Sequence, residues 1–175
     1  MQTFLKVFAG LIILFVGIGL FLNPEFQVKR EVSIKASPET IHTYINDLNQ
    51  WPKWSPWQQL DPSVKTTVGD ISSGIGASQS WTDNTGGGKL KFTHSSLKDG
   101  IVYDLNFAGD PSVFITKMGY RVEGDHTYVS WSMQGKMEPI IIGNYFAQLM
   151  DTLVGDSFML GLNNLKETVE SEQSK

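Results

Sequence analysis

The sequence predicts an α+β domain: a curved seven-stranded antiparallel sheet wrapped on a long C-terminal helix, with two short helices after the first strand and a transmembrane helix at the N-terminus. Three observations predict it. Val7 to Leu22 is an unbroken apolar run unlike anything else in the chain. From Val64 to Lys136, turn signals recur at short intervals between strand-like runs, the pattern of an antiparallel meander. After Pro139 the apolar period changes from two residues to three or four, the pattern of an amphipathic helix.

The N-terminal run covers roughly 24 Å as a helix, or about 28 Å if Phe4 and Leu5 are counted across Lys6, just enough for a bilayer core. A cleaved secretory signal and a buried helix of a soluble protein are the competing readings. Signals end on small residues of the A-x-A type, whereas this run ends Gly19-Leu20-Phe21-Leu22-Asn23-Pro24. The expectation is therefore an uncleaved, single-pass anchor through residues 4–22, within a segment 1–24. Lys29 and Arg30 outnumber Lys6 across the run, which favours a cytoplasmic domain by the positive-inside rule. Those two residues read as part of a folded strand, however, and the domain is placed outside the cytoplasmic membrane.

Glu25 to Ala36 alternates, with Val28, Val32 and Ile34 on one face, as in a half-buried strand. In Ser37-Pro38-Glu39, the serine suits a helix cap, the proline the first helical position and the glutamate the positive end of the dipole. Ile41, Tyr44, Ile45 and Leu48 then follow helical spacing. Trp51-Pro52-Lys53-Trp54-Ser55-Pro56-Trp57 is too punctuated by proline for more than a short helical piece. Strand-like runs follow at Val64–Val68, Ala77–Trp81, Lys89–Ser95, Ile101–Phe107, Val113–Glu123 and Thr127–Lys136, the last with Val129, Trp131 and Met133 on one face. A final helix of about 25 residues presents the stripe Phe146, Leu149/Met150, Leu153/Val154, Phe158, Leu162, Leu165 and Val169. Gly155 and Gly161 interrupt it at a cost of roughly 1 kcal/mol each against alanine, which suggests close packing or a bend. One domain is expected over 25–170, with residues 171–175 as a disordered tail.

The formal net charge is −4, and removing Lys6, the lone charged side chain before Glu25, leaves −5 on the domain. A mildly acidic surface argues against nucleic acid as a partner and against electrostatic attachment to anionic lipid. Cysteine is absent, which excludes disulfides, thiolate zinc sites and a cysteine nucleophile. No cofactor or metal is expected. His42, His94 and His126 lack metal-ligand spacing, and Gly86-Gly87-Gly88-Lys89 lacks the rest of a phosphate-binding motif and reads as a flexible hairpin loop.

A helix about 10 Å across is too narrow to fill a broad curved sheet, so the geometry leaves either a large aromatic core or a cavity. The chain resembles the START-like or helix-grip (SRPBCC) superfamily, and specifically its polyketide cyclase-like bacterial branch, over about Val28 to Glu170. The resemblance rests on Ser37-Pro38-Glu39, on Asp47…Trp51-x-x-Trp54-Ser55-Pro56-Trp57, on Gly74-x-Gly76-Ala77…Trp81, and on Gly155…Gly161-Leu162-x-x-Leu165-Lys166. It implies the helix-grip fold and a hydrophobic cavity between sheet and helix, and ligand binding more strongly than catalysis.

The expected partner is thus a hydrophobic small molecule, such as a lipid, isoprenoid or aromatic. Candidate ligand-binding residues are Trp54, Trp57, Trp81, Met118, Trp131, Met133, Phe146, Met150 and Phe158; Met and aromatics at such positions suit a variable apolar ligand and equally an ordinary core. An enzyme of the cyclase or dehydratase type would need a positioned acid or base. The weak catalytic candidate is His94, which alternates with Leu90 and Phe92, with Tyr103 and Tyr120 beside it. A protein-interaction or stress-related envelope module with a vestigial cavity is the remaining alternative.

Overall fold

Strand pairing in the computed structural model, which describes residues 1–173, runs β1-β7-β6-β5-β4-β3-β2, antiparallel throughout. Helix α1 (Gln2–Phe21) leads into β1 (Glu25–Ile34), then α2 (Pro38–Ile45), a 3-10 turn at Trp51–Lys53 and α3 (Trp57–Leu60). The meander comprises β2 (Lys65–Val68), β3 (Ser78–Thr82), β4 (Gly88–Ser96), β5 (Gly100–Phe107), β6 (Phe114–Glu123) and β7 (His126–Lys136), and α4 (Ile142–Gln173) closes the fold. The first strand returns to pair with the last, which lets consecutive hairpins build the sheet while β1 sits at the edge that α4 covers.

Local chemistry explains the boundaries. Thr40 N–H donates to Ser37 Oγ at 3.3 Å and Pro38 takes the first helical position, so α2 starts where the cap places it. Trp51 and Trp54 donate their indole N–H groups to the carbonyls of Ile45 and Tyr44, at 3.0 and 3.2 Å, and lock the short helices over one end of the sheet. Thr127, Val129, Trp131 and Met133 alternate inward along β7, as its sequence predicts. Cross-strand register aligns the inward residues in rows. One row is Phe92, Tyr103, Thr116, Met133 and Val28; the next is Ile101, Met118, Trp131 and Arg30.

Both interior glycines of α4 serve close packing. A Cβ at Gly161 would lie 2.7 Å from Trp131 and 2.9 Å from Pro56. A Cβ at Gly155 would collide with the Arg30 guanidinium, which lies under the helix and holds Asp151 with both carboxylate oxygens, at 2.7 and 3.0 Å. That hydrogen-bonded pair depresses the Asp151 pKa below its ordinary value. A depressed carboxylate adds stability above its unfolded-state pKa and loses it as pH falls through the folded-state value. Wild-type protein is therefore expected to lose stability on acidification below about pH 4, and Asp151→Asn to show a shallower loss over that window in melts taken across the pH series. Equal slopes for both proteins would show that the pair is not linked to folding.

The structure departs from the sequence reading in three places. A bulge between Phe92 and His94 breaks the alternation of β4, so His94 does not share the face of Leu90 and Phe92. In α4 the buried positions are Gly143, Asn144, Ala147, Met150, Gly155, Phe158, Gly161, Leu162, Leu165 and Val169, while Phe146, Leu149 and Leu153 are exposed. The apolar residues in the first half of α4 cover a broad arc, with Asn144, Gln148, Asp151 and Thr152 opposite, so apolar spacing could not select which part of the arc is buried; the structure buries the part holding Gly143, Ala147 and Met150. Finally, Ser171–Gln173, expected in the disordered tail, continue the helix, because its last turns are tied down: Lys35 N–H donates to Glu170 at 2.9 Å and the Tyr44 hydroxyl to Glu172 at 2.5 Å. Residues 174–175 of that expected tail lie outside the described residues.

Candidate functional site

Curvature of the sheet leaves a cavity of about 340 Å³ between its inner face and α4. Its floor is formed by inward residues of the central strands: Leu90 of β4, Tyr103 and Leu105 of β5, Thr116 of β6 and Met133 of β7. Trp51 closes one side, and Val154 and Phe158 of α4 form the roof. Trp57, Leu60, Trp81 and Phe107 surround the mouth and are partly solvent-exposed. A Cβ at Gly88 would collide with the indole of Trp81, so this glycine lets the indole lie flat across the hairpin beside Phe107, 5.9 Å away. Gly88 belongs to the run that reads as a flexible hairpin loop; it starts β4 and makes room for an indole that lines the cavity.

Polar atoms on the floor are few, and their arrangement is specific. Trp131 donates its indole N–H to the Tyr103 hydroxyl at 3.1 Å, which leaves that hydroxyl's own proton to be donated elsewhere. Burial pushes the Tyr103 pKa up from the ordinary value of 10.0, so the group stays a neutral hydroxyl. Its register partner Thr116 is fully buried, with its hydroxyl against that of Tyr103, whose pKa it lowers slightly against the effect of burial; Thr116 Oγ1 makes no well-formed hydrogen bond among the described residues. A buried hydroxyl left without a well-formed bond costs up to about 1–3 kcal/mol, which a further polar group bonding it would recover. Asp61 and Asp83 stand at the rim, where hydrogen bonds from Thr85 hold the Asp83 carboxyl below its usual range.

The expected site residues divide accordingly. Trp57, Trp81, Met133 and Phe158 line the cavity. Trp54, Met118 and Trp131 are core: Trp131 stacks on Phe158 with ring centroids 4.3 Å apart and packs edge-on against Trp54 at 5.6 Å. Met150 is buried but lies away from the cavity, and Phe146 points to the surface. His94 lies outside the cavity with its imidazole near Asp99, at 3.8 Å. His42 bonds the Tyr120 hydroxyl at 2.9 Å, and burial lowers its pKa. Thr116 went unnoticed in the sequence, although it sits midway between Phe114 and Met118 in strict alternation, a polar residue in an otherwise inward apolar series.

With that geometry in place, comparison with known proteins becomes informative. A family model described as polyketide cyclase / dehydrase and lipid transport matches residues 25–170. The chain belongs to this family. No curated relative matches the sequence. Solved structures similar to this cyclase and lipid-transport family member include a protein from Chromobacterium violaceum, with a TM-score of 0.61 and 15% identity over 82% of this chain and 96% of that one. A Thalictrum flavum norcoclaurine synthase point mutant, in complex with a transition-state analogue, superposes with a TM-score of 0.62 and 15% identity over 85% and 96% of the two chains. A solution structure from Thermobifida fusca gives 0.60 and 19%, covering 82% and 92%. At these identities the likeness is one of fold, and it establishes the helix-grip architecture.

Proposed function

We propose that the domain binds a hydrophobic small molecule with a single polar end, of lipid, isoprenoid or aromatic type, and that α1 holds it at a membrane. One observation carries the binding reading. The cavity is walled mainly by aromatic and aliphatic side chains, and at its floor the buried Thr116 hydroxyl sits against the neutral Tyr103 hydroxyl, with no hydrogen bond of good geometry at Thr116 Oγ1 among the described residues. Burying apolar ligand surface contributes about 25 cal/mol per Å², and the two hydroxyls fix which end enters first by bonding a carbonyl or hydroxyl of the ligand. The volume lies towards the small end of the range for ligand pockets, roughly 300–1,000 Å³, and suits a compact ring system or a single short chain. Family membership supports a hydrophobic ligand. Support for the anchor is the composition of α1: 20 residues with a mean hydropathy of 2.5 and only 6% of its apolar window buried against the rest of the chain.

Native mass spectrometry of the detergent-extracted full chain tests the binding reading. A retained small molecule is expected, released on denaturation. Leu105→Trp, which fills the cavity from its floor, is expected to abolish retention while the domain stays folded. Thr116→Val keeps the shape but removes the hydroxyl, and is expected to weaken affinity by up to about tenfold, the worth of one hydrogen bond. Retention of the same molecule by Leu105→Trp would place it elsewhere and sink the proposal.

A further inference from the structure

The first half of α4 has a second apolar face that the fold does not use. Ile142, Phe146, Leu149 and Leu153, spaced four, three and four residues apart, form one continuous stripe, each residue about half exposed, with Ile140 exposed just before it. From Pro139 to Gly155 the only charged residue is Asp151, and it is bound to Arg30; the helix becomes charged only beyond, at Asp156, Lys166, Glu167, Glu170 and Glu172. A water-facing helix would carry its charges on this stripe.

The same turns of α4 are fastened to the end of α1. Tyr145 stacks on Phe15 with ring centroids 4.5 Å apart and donates its hydroxyl to the Phe15 carbonyl at 2.7 Å. Asn144 donates to the Gly19 carbonyl at 2.7 Å, and Gln148 to the Asn23 carbonyl at 2.9 Å. Ile141 packs on Gly19 in a left-handed conformation, φ 81°, which a β-branched residue adopts only when its surroundings hold it there. Phe15 precedes the end of α1 by six residues, so these contacts reach about 9 Å back along that helix. A helix so attached lies at the depth where a bilayer's headgroups meet its acyl chains, the depth at which amphipathic helices bury their apolar faces.

The cavity opens at this end too. Trp81, Gly88 and Phe107 are aligned across β3, β4 and β5, and the antiparallel order puts them at the same end of the sheet as Lys136, which ends β7, and Glu25, which begins β1 just after α1. Phe107 and Leu60 at the mouth and Val113 beside it are exposed apolar residues. We propose that the stripe Ile142, Phe146, Leu149 and Leu153 rests in the interfacial layer of the bilayer that α1 crosses, so that the cavity mouth faces lipid. This rests on the reading of α1 as a membrane span. With −5 on the domain, the docking is apolar rather than electrostatic and persists at high salt.

Because the chain has no cysteine, single-site labelling tests the idea cleanly. Full-length Phe146→Cys, Ile12→Cys and Lys91→Cys are each labelled with an environment-sensitive fluorophore and reconstituted in phosphatidylcholine vesicles carrying a nitroxide shallow on the acyl chain. The label at 146 is expected to be quenched several-fold more than the label at 91, in low and high salt alike, and Leu149→Asp with Leu153→Asp is expected to abolish that difference without changing the thermal melt. Quenching at 12 with none at 146 overturns the docking and leaves the anchor standing. No quenching at 12 overturns the anchor, and the docking falls with it. A blue-shifted label at 146 that lipid nitroxide does not reach, and that depends on protein-to-lipid ratio, assigns the stripe to a second copy of the chain and also overturns the proposal.

Discussion

Replacing Leu162 by Asp is expected to abolish the folded domain at neutral pH, whereas the same change at Leu153 leaves it intact. Leu162 is 0% exposed, in the core between sheet and helix, while Leu153, nine residues earlier, is 58% exposed. An aspartate at 162 must either ionise without a partner, at several kcal/mol, or be held protonated far above its ordinary pKa. Either cost, with the lost apolar burial added, is comparable to the whole stability of a domain, about 5–15 kcal/mol. At 153 the carboxylate meets solvent, and the change is expected within about 0.5 kcal/mol of the parent. Far-UV circular dichroism melts of the detergent-solubilised proteins check both. A cooperative, parent-like melt for Leu162→Asp, or an unfolded Leu153→Asp, would mean that α4 is rotated about its axis relative to the arrangement described.

The second large effect is expected at Trp131. This fully buried indole stacks on Phe158, meets Trp54 and Trp57 edge-on, and donates to Tyr103. Truncating such a residue to alanine costs about 3–5 kcal/mol, from lost transfer energy and from the cavity left behind. For a domain of this size that lowers Tm by roughly 10 °C. Trp131→Phe keeps a ring against Phe158 and is expected to recover part of the loss. The void left by alanine adjoins Tyr103 and Phe158, both of which line the existing cavity, so the alanine variant also enlarges it and is expected to admit a bulkier apolar molecule. A melt shifted by less than about 2 °C would show that the site collapses around the void and that the indole is not the pillar its contacts suggest.

Much of this was legible in the residues, for reasons tied to short-range chemistry. Alternation in β1 and β7, the Ser37-Pro38 start of α2 and the Gly/Asp turns of the meander depend on neighbours in sequence, and the structure reproduces them. Of the residues expected to bind a ligand, Trp57, Trp81, Met133 and Phe158 line the cavity, where strand period and helix phase point them. His94 lies off the face of Leu90 and Phe92 for a local cause that the sequence does not show, a one-residue bulge that reverses the face of the strand beyond Phe92. Phe146 lies at the surface because the apolar arc of α4 is wider than the face the sheet covers, and period alone does not say which part of such an arc is buried.

The sequence by itself determined that an apolar helix precedes an antiparallel sheet and a long closing helix, because hydrophobic period and turn chemistry act within a few residues. Only the tertiary structure decided which face of α4 is buried, that Arg30 passes beneath Gly155 to reach Asp151, and that the buried Thr116 hydroxyl meets that of Tyr103 at the floor of a cavity. Those outcomes depend on residues more than a hundred positions apart, or on neighbouring strands, brought within a few ångströms. They are settled by shape and hydrogen-bond geometry, which leave no periodic trace along the chain.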